Sequence, residues 1–237
     1  MRSSFLSRIA LVAAAVALWP AAAQAVVVLG FERINLVYPT TSYADVQGFY
    51  GGGTSSVGSS GTNFGINFGP DAVAVCLNPI GGSCSNASAG GLSATSSRAA
   101  LGIGSGTATY FDIPAGFSFA IGFRFAVAVG SFATISAYSG PGGTGTLLNA
   151  PLVLLPGAAG CAAYNAVLCP LGPGGYSFLG TAQSVVFTGQ PGKVVWDDLT
   201  LGFNDPQSPP PVPEPATWAL WALGLAALGA RRLKSPG

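Results

Sequence analysis

The stretch Phe117-Ser118-Phe119-Ala120-Ile121-Gly122-Phe123-Arg124-Phe125-Ala126-Val127-Ala128-Val129 repeats with a period of two. Seven large apolar side chains hold alternate positions, and small residues plus Arg124 hold the others. A strand sends successive side chains to opposite faces, whereas a helix repeats every 3.6 residues. The pattern therefore predicts a long strand with one face in a core. Its other face lies near solvent or under a second layer.

Working outward, further strand candidates are residues 26–31, 64–68, 71–77, 106–113, 132–138, 152–155, 183–187 and 193–201. Clusters of glycine, proline, serine and asparagine separate them and supply turn signals. No ten-residue helical pattern intervenes. Many short strands with turns between them predict an all-β fold, an antiparallel β-sandwich of jelly-roll-like form over residues 26–205. A unit of that length can bury a core as one domain.

Composition narrows the function. The chain has 237 residues, 35 of them glycine and 18 proline, and 7% are charged, against about 25% in an ordinary soluble protein. Net charge is +1 with no basic stretch in the middle, which excludes nucleic-acid binding of the usual electrostatic kind. Histidine is absent, which excludes histidine-based acid/base catalysis and histidine-ligated metal. Residues 26–205 hold seven acids and four bases, so the expected ectodomain is mildly acidic and the positive balance comes from the two ends.

Those ends differ from the middle. Arg2 and Arg8 give a basic start, residues 9–19 an apolar run, Pro20 a break, and Ala23-Gln24-Ala25 an A-x-A cleavage site. These are the parts of a secretory signal peptide over residues 1–25. At the other end, Pro206, Pro209, Pro210, Pro211, Pro213 and Pro215 make a stiff spacer over residues 206–215. Residues 216–230 carry no charge and are apolar around the whole helical circumference, and Arg231, Arg232 and Lys234 follow within residues 231–237. The reading is a C-terminal hydrophobic transmembrane helix with a basic cytoplasmic tail, its orientation set by the positive-inside rule.

Val212-Pro213-Glu214-Pro215-Ala216-Thr217-Trp218, the apolar helix and the basic cluster together resemble the PEP-CTERM sorting tail of Gram-negative bacteria. The resemblance covers about the last 26 residues. It implies recognition by an exosortase, a membrane-embedded cysteine transpeptidase-like enzyme, with cleavage near Pro213-Glu214-Pro215. It further implies membrane anchoring before processing, transfer of the ectodomain to the cell surface or matrix, and an association with exopolysaccharide. The run from Gly48-Phe49-Tyr50-Gly51-Gly52-Gly53 through Asn63-Phe64-Gly65-Ile66-Asn67-Phe68 is similar to a pattern in many ectodomains of that family. So is the closing Trp196-Asp197-Asp198-Leu199-Thr200-Leu201.

Chemistry-bearing residues are few, and the expectation is a protein that is not an enzyme. Cys76, Cys84, Cys161 and Cys169 form two pairs of equal local spacing in an exported chain. That spacing favours disulfides from Cys76 to Cys84 and from Cys161 to Cys169, with zinc as the alternative. Glu32 in the first strand region and Asp197 and Asp198 in the last are candidate calcium ligands. Asp197 and Asp198 are neighbours, so on a regular strand they face opposite ways and form no catalytic pair together. A hydrolase would need one of them to meet Glu32 or Asp112 across the sheet. Tyr38, Tyr43, Phe49, Tyr50, Tyr138, Tyr164 and Tyr176 are either core caps or sugar-stacking faces of a carbohydrate-binding module.

Overall fold

The structure is a computed structural model, and its described residues are 27–38, 40–77, 99–157, 167–168 and 171–206. The expected signal peptide, most of the proline-rich spacer, the sorting helix and its basic tail lie outside them, as do Cys84, Cys161, Cys169 and Tyr164. Val26–Pro209 form one compact unit.

Ten strands follow in chain order: β1 (Val28–Leu29), β2 (Tyr43–Asp45), β3 (Asn67–Phe68), β4 (Ala72–Cys76), β5 (Ala99–Ile103), β6 (Ala108–Val127), β7 (Ala133–Tyr138), β8 (Leu152–Leu154), β9 (Gly172–Thr188) and β10 (Val194–Leu201). All the pairings are antiparallel, as expected. They form one sheet in the order β2-β4-β5-β10-β6-β9-β7-β8, with β1 on β10 and β3 on β6.

The two layers of the expected sandwich are two halves of this one sheet. Thr109 of β6 pairs with Phe187 of β9, and Phe125 of β6 pairs with Trp196 of β10. Straight strand would put Thr109 and Phe125 roughly 50 Å apart. Yet the Phe187 and Trp196 rings pack at 5.1 Å. The β6/β9 ribbon must therefore bend back on itself. The bend lies where the β6/β9 register shifts, between Asp112 and Phe117 and again between Ser118 and Ala120. Such bulges add residues to one strand and sharpen its curvature. Phe119 sits in the second shift at φ 84° and is 60% exposed.

This bend corrects one detail of the sequence reading. The expected strands 106–113 and 117–129 are one twenty-residue strand. The apolar stripe holds for Ile121, Phe123 and Val127, which are buried. Phe119 is expelled because the bulge inverts the alternation beside it. The first half of β9, Gly172-Pro173-Gly174-Gly175, reads as a turn yet forms strand. Glycine is required there at position 174, since a Cβ would run into the Phe123 ring. β5 escapes the period-two test because all five of its residues are buried, on both faces.

The main core gathers Trp196, Phe187, Phe111, Phe123, Leu101 and Ile121 between the two halves. A second cluster of Leu77, Ala100, Ala126, Leu168, Leu171 and Val195 packs separately from it. Cys76 closes β4 and is disulfide-bonded. Among the described residues there is no free cysteine and no helix long and apolar enough to cross a membrane.

Candidate functional site

The site is built where the start of the sheet meets its last strand. After β1, the chain turns through Phe31 at φ 58° and Arg33 at φ 67°, with Glu32 between them. Left-handed backbone is strained in non-glycine residues and persists only where surrounding contacts hold it. Here the contacts are identifiable. The Phe31 N–H donates to the Tyr50 hydroxyl at 2.9 Å. The Phe31 ring packs edge-on against Tyr50 at 5.9 Å and Phe68 at 5.7 Å. The Ile34 carbonyl accepts from Ser59 Oγ at 2.6 Å. The glycine-rich run 48–53 lets Tyr50 reach this place: residues Phe49–Gly51 form a 3-10 turn capped by Gly52 at φ 85°.

From the other side, β10 breaks register against β6 between Asp197 and Thr200, and Asp198 takes φ 49°. Strict alternation therefore fails at the two aspartates. The Asp198 N–H donates to Asp197 Oδ1 at 2.8 Å, and Thr200 Oγ1 donates to the Asp198 carbonyl at 3.1 Å. Asp198 and Arg124 are each 3% exposed, and Arg124 Nε lies 3.4 Å from Asp198 Oδ2. Arg124 Nη1 also donates to the Leu171 carbonyl at 3.4 Å.

Glu32 and Asp198 converge on Gly30. A methyl group there would sit 2.5 Å from Glu32 Oε2 and 3.8 Å from Asp198 Oδ1. Glu32 Oε2 is buried with no hydrogen-bond partner. Burial is the main cause that raises the Glu32 pKa to about 8, its own backbone N–H offsets part of this, and the Asp198 charge adds to the rise. Glu32 thus keeps its proton at neutral pH. Burial likewise raises the Tyr50 hydroxyl, opposed by the Phe31 hydrogen bond and assisted by the charges of Glu32 and Asp197.

Beside this group opens a cleft of about 850 Å³, lined in part by Glu32, Phe49, Tyr50, Phe64, Ser60 and Thr62. It offers a neutral carboxyl, hydroxyls and aromatic surface to a ligand. Tyr50→Phe would leave the buried Phe31 N–H without its acceptor. The expected cost is about 1–2 kcal/mol of unfolding free energy, measured by urea denaturation.

The expected site residues divide as follows. Glu32 meets Asp198, and Asp197 is buried next to it. Among the described residues no group of three or more histidine, cysteine or acidic side chains is placed to hold a metal ion. Asp112 lies elsewhere, accepting from the Gly142 N–H at 2.7 Å, and Asp71 accepts from Ser105. Phe49, Tyr50 and Tyr176 are core, Tyr43 is exposed, and Tyr38 and Tyr138 are half-buried. Arg124 was the residue missed. Its signal was present: a lone charge inside an apolar strand needs a buried partner.

Residues 211–234 match the family profile described as the PEP-CTERM protein-sorting motif. No curated protein and no solved structure matches the chain.

Proposed function

We propose that this chain, carrying a PEP-CTERM motif at its C-terminus, is an exported, non-catalytic scaffold displayed at the cell surface or in an extracellular matrix. The motif implies processing by an exosortase and anchoring in the membrane before it. The single observation that carries the reading is the motif match at residues 211–234. Support for a non-catalytic role comes from the charges. Asp198 is held by Arg124, Glu32 is protonated, and Asp71 and Asp112 accept turn hydrogen bonds elsewhere.

The test is the mass of the mature protein in hosts with and without the exosortase. The full-length chain should lose its C-terminal segment only where the enzyme is present. A chain lacking residues 206–237 should show one mass in both hosts. Identical masses for the full-length chain in both hosts would overturn the reading. The same spectra report whether disulfides run from Cys76 to Cys84 and from Cys161 to Cys169.

A second reading, a carbohydrate-binding module, is favoured by the cleft with its mixed aromatic and hydroxyl lining. A glycan array probed with the wild type and Phe64→Ala separates it from a pure scaffold. Calcium at Glu32, Asp197 and Asp198 would have to draw Asp198 away from Arg124. Titration with calcium that gives neither heat nor a melting shift removes that proposal.

A further inference from the structure

We propose that Gly122 and Gly175 form a seat that clamps the exit segment, residues 204–206, and so sets the length of spacer offered to the processing enzyme. The proposal rests on the exosortase reading above and concerns the geometry of that step.

Gly122 of β6 and Gly175 of β9 are direct cross-strand partners. The end of β10 runs beside them, with Thr200 paired to Gly122 and Leu201 to Ile121. The chain then turns at Gly202, at φ 83°, whose N–H donates to the Ala120 carbonyl at 2.8 Å. It crosses back over the glycine pair. A Cβ on Gly122 would lie 2.8 Å from the Asp205 carbonyl carbon and from Pro206 N. A Cβ on Gly175 would strike the Asn204 backbone carbonyl. Both obstacles are main chain, which cannot swing aside as a side-chain tip can. Glycine inside a strand weakens it, and two glycines facing each other mark a place where another backbone approaches closely.

The clamp moves the origin of the spacer. Without it, free chain would begin after Leu201, the last residue of β10. With it, the spacer is counted from Pro206. Six residues lie between Pro206 and Pro213 of the sorting motif, and seven residue steps of polyproline geometry would span about 22 Å. Releasing residues 202–206 would add up to roughly 16 Å. Gly122 and Gly175 are positioning residues for this step.

The test is a rescue, read as the rate of C-terminal processing of the full chain in cells that contain the exosortase. Deleting residues 209–211 shortens the spacer by about 9 Å. It should slow processing roughly tenfold, because a linker too short to span two sites nearly abolishes their encounter. Adding Gly175→Ala to that deletion should free residues 202–206 and restore the rate to within about threefold of wild type. A merely structural glycine would make the double variant slower than the deletion alone. If Gly175→Ala does not fold, Gly122→Ala serves in the same design, because it strikes the same segment from the neighbouring strand. Normal processing after the deletion, or no rescue by either folded glycine variant, overturns the clamp. If the wild-type chain itself is not processed by the exosortase, the underlying reading fails instead.

Discussion

Arg124→Met is expected to lower the unfolding free energy by about 3–5 kcal/mol. Arg124 Nε faces Asp198 Oδ2 at 3.4 Å, with both side chains 4% exposed. Removing the guanidinium leaves Asp198 buried, charged and near Glu32. It also removes a donor to the Leu171 carbonyl. Methionine fills most of the volume, so the loss reports the uncompensated charge more than a cavity. Arg124→Lys should recover only part of the stability, because a single ammonium does not reproduce the planar guanidinium fork. Urea unfolding of both variants measures this. A methionine variant within about 1 kcal/mol of wild type would show that the pair contributes little.

Glu32→Gln is expected to change how stability depends on pH. The Glu32 pKa rises from 4.5 to about 8 on folding. The folded chain thus binds this proton more tightly than the unfolded chain does. The stabilisation is complete below pH 4.5, declines as pH rises, and is gone once pH passes about 8. The steepest slope is about 1.4 kcal/mol per pH unit. Glutamine keeps the shape of the neutral acid and cannot ionise. The variant should match wild type near pH 4 and exceed it by about 4 kcal/mol at pH 8. Asp197, Asp198, Arg124 and Tyr50 stay in place in both proteins, so the difference isolates Glu32. Parallel pH profiles for the two would rule out a buried, protonated Glu32.

Much of the architecture was legible because burial on one face writes itself into alternate residues. Residues 108–113 and 133–138 show this, and each falls on a strand. Three features were illegible for separate reasons. β5 is buried on both faces, so its Ala-Ala-Leu-Gly-Ile has no polar phase. The start of β9 needs glycine for close approach and imitates a turn. The bulge at Phe119 follows from how the ribbon closes, which no local pattern encodes. At the site, Glu32 and the two aspartates were identifiable as rare acids in facing segments. Their mutual geometry was not, because it depends on left-handed backbone at Phe31, Arg33 and Asp198, residue types that carry no signal for it.

The position of β10 has a consequence for export. The last strand in sequence stands inside the sheet, between β6 on one side and β5 and β1 on the other. It also supplies Trp196, the largest fully buried side chain. Until residue 201 has crossed the membrane, the two halves of the sheet lack the strand that joins β5 to β6. Pairings that close over long sequence separations form late. In a chain that threads outward from its N-terminus, the sheet therefore stays incomplete between β5 and β6 until almost all of residues 26–205 have emerged. Completion of the fold and arrival of the C-terminal tail at the membrane become nearly the same moment.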